Sequence, residues 1–97
     1  MPAKPITIGT LKFLKKGDAA TYLRAMLNRY DVGDKVDATD AVVLLATLSL
    51  HPDAALLVGG GVTHFSVRSA DFGTKCFWVN RIDGSTEKFS YKTCIYG

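Results

Sequence analysis

Three features of this 97-residue chain predict an α+β domain, an antiparallel sheet of three to four strands with two helices packed on one face in the order β-α-α-β-β-β. The first half repeats apolar residues at the three-and-four spacing of a helix that buries one side. After Pro52 the spacing switches to the twofold alternation of strands. Near the end, Asp83-Gly84 separates two β-prone runs, a pair that suits a tight hairpin with positive φ at both central positions.

Each element has its own signal. Ile6-Thr7-Ile8 is β-prone and is stopped by Gly9, and Leu11 to Leu14 is a second short extended piece. Lys15-Lys16-Gly17 reads as a surface turn, with Asp18 as the N-cap of a helix near 18–30. Ala20, Leu23, Leu27 and Tyr30, with Met26 beside them, form its apolar stripe, and Asp31 and Gly33 end it. A second helix near 38–50 opens on Asp37, with Asp40 three residues on as a weak reciprocal capping partner. Ala41, Leu44, Leu45 and Leu48, widened by Val42 and Val43, make it apolar nearly all round, so it is expected to be the most buried helix. Pro52 disfavours helical geometry at His51 and ends it.

Residues 53–61 read as a connection. Strands are then expected at 62–69, 75–82 and 86–91, with a loop over 70–74. In the first, Thr63, Phe65 and Val67 alternate with His64, Ser66 and Arg68. The second is apolar on both faces, as in a central strand.

The bulk properties bound the function. Apolar content of 47% with 22% charged residues is ordinary for a globular chain, so one domain over 1–97 is expected, with disorder confined to residues 1–5. The net charge is +3. Residues 1–30 hold Lys4, Lys12, Lys15, Lys16, Arg24 and Arg29 against Asp18, and the last third is again basic. Residues 31–60 hold five aspartates against Lys35. Basic surfaces attract phosphate backbones by releasing counterions. Two cysteines are too few for a disulfide framework. Met1 to Lys4 leads into Pro5 and Ile6 without a secretory signal, and the apolar stretch Ala41 to Leu50 is too short to span a bilayer. A cytoplasmic protein with reduced thiols and no membrane partner is expected.

Candidate chemistry is sparse. Gly59-Gly60-Gly61 precedes a strand and lacks a following Lys-Ser or Lys-Thr, so it is not a phosphate loop. His51, His64, Cys76 and Cys94 are zinc-ligand types at the wrong spacing, so no metal and no cofactor is expected. Cys76 and His64 form the one nucleophile–base pairing worth testing, and the strand register decides it. No carboxylate pair suits acid–base work, and no enzyme is predicted.

The strongest binding candidates are Arg68, Lys75, Arg81, Lys88, Tyr91 and Lys92 around the aromatic C-terminal sheet. Cations interleaved with aromatic rings hold phosphates and stack bases. By this reading Trp78 belongs first to the core, and Tyr91 is the better stacking candidate.

Several motifs also resemble a known family. Cys76-Phe77, Arg81-x-Asp83-Gly84, Phe89-Ser90-Tyr91 and Cys94 are similar to the signature of the DCL (defective chloroplasts and leaves) family. His51-Pro52 followed by Gly59-x-Gly61-Val62 resembles its second motif. The chain departs at Leu57, where a lysine is expected, and at Lys88, where an aspartate commonly stands. The family includes plastid proteins linked to ribosomal RNA maturation, C-terminal domains of plant RNA polymerases and small bacterial proteins. The resemblance therefore implies a non-catalytic RNA-binding module connected to ribosomal RNA processing. The alternative is a protein-interaction module that docks a partner through the aromatic hairpin. With no room for a transit peptide before its domain, a free-standing monomeric protein of bacterial or phage type is expected.

Overall fold

The main sheet is built from the last third of the chain, and the two long helices pack against one of its faces. A computed structural model describes residues 5–69 and 73–96. The expectation for residues 1–4, and that for the loop at 70–72, lie outside them. Strands β1 (Ile6–Ile8) and β2 (Leu11–Phe13) form a small antiparallel hairpin. Helices α1 (Lys16–Asn28), α2 (Ala38–Leu48) and α3 (Ala54–Val58) follow. Strands β3 (Val62–Ser69), β4 (Lys75–Arg81) and β5 (Thr86–Phe89) form an antiparallel sheet in that spatial order, and α4 (Tyr91–Tyr96) closes the described chain.

The predicted α+β architecture is observed, with two additions. The first extended pieces pair with each other and leave the main sheet at three strands. Two short helices stand where a connection and the end of a strand were expected. α3 occupies 54–58, and Tyr91 begins α4 instead of ending β5. Thr93, Ile95 and two tyrosines give α4 a β-prone composition. Packing overrides it, because Cys94 and Ile95 are buried against α1 and α2.

The core lies between the helices and one sheet face. Phe65, Val67, Phe77, Val79 and Phe89 meet Leu23, Met26, Leu44 and Leu48. Phe65 and Phe89 make an edge-on ring contact at 5.8 Å. Ile8 joins the core from β1, where Gly9 sits at φ 61° and a Cβ would stand 3.3 Å from Ala46 Cβ.

Helix starts and faces differ in detail from expectation. α1 begins at Lys16 with Lys15 as an N-cap that makes no side-chain bond, so Asp18 lies inside the first turn. There its charge faces the positive end of the helix dipole. Asp37 does cap α2, accepting from the Asp40 N–H at 2.8 Å. The Asp40 carboxylate does not return the bond. It is buried and accepts from Arg29 Nη2 at 2.9 Å and Tyr30 Oη at 2.6 Å, tying the end of α1 to the start of α2. α2 is not buried all round: Val42 is 71% exposed and Leu45 50%. The buried side is a single stripe through Leu44, Thr47 and Leu48.

Thr63 also leaves the expected alternation. A bulge between Val62 and His64 inserts it as an extra residue, and it is exposed while Phe65 and Val67 are buried. The β4–β5 turn is a three-residue loop, not a two-residue one. Gly84 N–H donates to Arg81 O at 3.0 Å, Arg81 N–H donates to Ser85 O at 2.9 Å, and Gly84 carries φ 88°. Left-handed geometry falls on the last loop residue, as in a type I turn closed by a glycine bulge. Asp83 instead accepts from the Ser85 N–H and Oγ, which holds its carboxyl below the usual range.

Candidate nucleic-acid interface

Register sorts the sheet residues onto two faces. Val67↔Phe77↔Phe89 and Phe65↔Val79 point to the core. The alternate positions form the opposite, open face, on which Arg68 and Lys88 are exposed and Ser66 and Asn80 are buried: Arg68↔Cys76, Ser66↔Trp78↔Lys88 and His64↔Asn80↔Thr86. Trp78 sits at its centre, half-buried, with Lys88 directly across on β5. Arg68, the diagonal neighbour, holds its guanidinium carbon 5.5 Å from the Trp78 ring centroid. Arg68 Nη2 also donates to Asn80 Oδ1 at 3.3 Å, and Asn80 Nδ2 donates to Ser66 Oγ at 3.0 Å. These register positions include two cations and no carboxylate.

The six predicted binding residues do not share this face. Arg68 and Lys88 lie on it. Lys75 lies at a core-side position and donates to the Tyr30 carbonyl at 2.7 Å, where α1 has just ended. Arg81 is a clamp. Its Nε donates to Leu57 O at 2.8 Å, Nη2 to Leu56 O at 3.2 Å and Nη1 to Ser85 Oγ at 3.1 Å. It thus satisfies carbonyls that the short helix α3 leaves over and ties them to the hairpin. Tyr91 packs edge-on against Phe77 at 6.4 Å, and burial raises its phenol pKa, with Arg24 opposing. Lys92 is exposed on α4, beside Tyr91 in a cleft of about 270 Å3 that Lys75 also lines.

The resemblance motifs meet physically at the clamp. At Gly59 (φ 57°) a Cβ would stand 3.0 Å from Arg81 Cδ. At Gly61 (φ 137°) it would stand 2.5 Å from Ile82 Cδ1. The glycines therefore let the chain after α3 approach the hairpin, and they cradle a side chain instead of a phosphate. Leu57, at the departing lysine position, is buried.

The other chemical candidates come apart. His64 pairs with Asn80 and Cys76 with Arg68, so the two are not cross-strand partners. Cys76 Sγ donates to Phe89 O at 3.2 Å, and burial raises its thiol pKa despite the nearby Lys88 charge. His51 Nδ1 accepts the Asp53 N–H at 2.9 Å and shapes the turn before α3. Among the described residues, no three His, Cys, Asp or Glu side chains gather where they could hold a metal ion. No helix among them is long and apolar enough to cross a membrane.

Sequence reasoning undervalued Trp78 and passed over Asn80 and Ser66. The signal was present: Phe77 and Val79 are the core-facing pair, so residues 76, 78 and 80 had to face away.

Fold and face together define a small α+β domain with one open, cationic and aromatic sheet face. The chain belongs to the DUF3223 family, whose model, described as a protein of unknown function, matches residues 24–95. It is DCL-like. It is 34% identical over 76 residues to DNA-directed RNA polymerase IV subunit 1 of Arabidopsis thaliana, covering 77% of this chain and 5% of that protein. It is 32% identical over 81 residues to Protein DCL, chloroplastic, of Solanum lycopersicum, covering 78% of this chain and 36% of that protein. The chain thus spans well under half of either relative. The solution NMR structure of an uncharacterized protein from Rhodospirillum rubrum superposes with a TM-score of 0.90 at 51% identity, covering 95% of this chain and 88% of that one.

Proposed function

We propose that this domain is a non-catalytic RNA-binding module that uses the open face of its three-stranded sheet, with a role in ribosomal RNA processing as the DCL resemblance implies. The observation that carries the reading is the grouping of Arg68, Trp78 and Lys88 on a face whose described register positions include no carboxylate. Cations there neutralise phosphates, and a ring between them offers a π surface to a base. The name of one relative, a subunit of an RNA polymerase, supports the same reading. A non-catalytic role fits the thiols, whose pKa burial raises, the opposite of what activates a cysteine nucleophile.

The test is an RNA titration at low salt followed by amide chemical shifts. Shifts confined to residues 64–68, 76–80 and 86–88, with micromolar affinity that falls steeply with salt, support the reading. Arg68→Glu with Lys88→Glu should abolish them. Silence across that face would reject it.

One observation favours the protein-docking alternative at a different place from the hairpin. Phe77 and Phe89 of the hairpin are core. Exposed Val42 and Leu45 instead line an apolar groove of about 410 Å3 with Val58, Val62 and Phe65. Leu45→Glu would block docking there and leave RNA binding intact.

A further inference from the structure

Trp78 is the only tryptophan of the chain. It stands on the central strand of the open face, away from the core rings. Its ring is covered by a charged group that can move. Arg68 belongs to the neighbouring strand, its side chain is exposed at the sheet surface, and its bond to Asn80 is long at 3.3 Å. A cation–π contact open to water is weak enough to exchange. The Trp78 indole N–H is the one buried side-chain polar atom among the described residues that meets no hydrogen-bond partner. An unmade bond of that kind is costly, and an acceptor that reached it would recover the loss.

We propose that Trp78 is a stacking platform for a base of single-stranded RNA, with Arg68 as its removable cover. This rests on the RNA-binding reading above and specifies the state of the RNA. On binding, the Arg68 guanidinium leaves the ring for a phosphate, and the base takes its place over the indole. Lys88, across the strand from Trp78, lies where the next phosphate passes. The strand must be single, because duplex bases already have both faces stacked and A-form grooves do not admit a sheet-bound ring. The exchange keeps one flat, polarisable group on the ring throughout, so the free protein never exposes a bare indole.

The experiment uses the full chain and its tryptophan emission at low salt. Three probes of about nine nucleotides, within the span of one binding module, are compared: an unstructured RNA strand, an abasic strand of equal charge, and an RNA duplex. The unstructured strand should quench Trp78 and bind about tenfold or more tighter than the abasic strand. The duplex should leave the emission unchanged. Trp78→Leu should weaken binding of the unstructured strand on the order of 5- to 100-fold and remove its preference over the abasic strand. If that variant does not fold, the ratio of unstructured to abasic affinity in the unaltered protein decides alone. Equal affinity for both strands without quenching would overturn the stacking site and leave a phosphate-binding face standing. No binding by any probe would remove both readings.

Discussion

Strand β4 divides its side chains between two faces that the fold treats differently. On one face are Lys75, Phe77, Val79 and Arg81; on the other are Cys76, Trp78 and Asn80. Each face has an aromatic ring, and each is served by basic groups. On the core side everything is committed: Phe77 to the ring cluster, Lys75 to the carbonyl of Tyr30, and Arg81 to α3 and Ser85. On the open side the arginine rests on a tryptophan, and the indole N–H is unpaired. Charge and aromatic content thus do not distinguish a cation committed to the fold from one left at the surface. Position along a twofold repeat separates Lys75 and Arg81, which reach carbonyls of Tyr30, Leu56 and Leu57, from Arg68, which rests on Trp78 and bonds the Asn80 side chain.

The sharpest way to break this comparison is to truncate the two rings. Phe77 is fully buried, and Phe77→Ala should cost about 3–5 kcal/mol through lost transfer energy and the cavity left behind. Trp78→Leu should cost far less, about 1 kcal/mol, since the ring is only partly buried, leucine keeps part of its apolar contact, and its unpaired N–H is removed with it. Chemical denaturation of both variants checks the contrast. Equal losses would mean that Trp78 is as structural as Phe77.

The arginines give the next test. Arg81→Gln removes most of the bonds that join α3 to the hairpin, and about 2–3 kcal/mol should be lost, as for hydrogen bonds made by a charged group. Arg68→Gln should cost under about 1 kcal/mol, the range of an exposed cation–π contact. Thermal melts and amide exchange at 54–61 would show it: protection there should fall in the Arg81 variant and stay in the Arg68 variant. The reverse pattern would mean that Arg68, not Arg81, holds the sheet together.

The fold was legible because its long elements obey simple periods. The spacings Leu23, Met26 and Leu27, then Leu44 and Leu48, and then Phe65 and Val67, place both long helices and the first sheet strand within a few residues. What was hidden has physical reasons. α3 and α4 are too short to be stable on propensity, and tertiary burial of Leu57, Cys94 and Ile95 creates them. The buried Asp40 looked like a capping residue because its real partners, Arg29 and Tyr30, lie just past the end of another helix. Half of the candidate site was legible in the same sense. Its residue types were visible, but the separation of Arg68 and Lys88 from Lys75 and Arg81 needed the register, and Tyr91 left the sheet because the strand ended at Phe89. The exposed side of α2 was invisible because the composition of a helix does not tell how many neighbours will cover it.

At the hairpin tip, the contrast between faces reduces to backbone geometry. Gly84 has φ 88°, and a Cβ there would meet nothing within 4 Å. Gly84→Val should therefore destabilise by about 1–2 kcal/mol from left-handed strain alone, with no steric clash to add. Gly84→Asn should recover most of that, since asparagine tolerates the left-handed region. A melting temperature unchanged in the valine variant would mean that the turn can take another form.

The smallest effect at neutral pH, and the most selective, concerns the two thiols. Cys76 is half-buried on the open face, and Cys94 on α4 is buried against α1 and α2, where burial pushes its pKa from 9.0 to about 11. Burial favours the protonated thiol in the folded state, so Cys94 contributes stability that is fully present below pH 9. That contribution is lost as pH rises toward 11, because the unfolded chain then releases a proton that the folded chain retains. Cys76, Tyr30 and Tyr91 are raised in the same direction and add to the slope. Cys94→Ala should flatten this alkaline decline while leaving the profile below pH 8 parallel to that of the parent. Alkylation separates the thiols further. At pH 8 the folded protein should label slowly at Cys76 and, at Cys94, only as fast as it unfolds, because the thiolate is the reactive form and access is closed. Labelling of Cys94 at the rate of Cys76 would mean that α4 opens independently of the core, and the two faces of the domain would then differ in stability as well as in use.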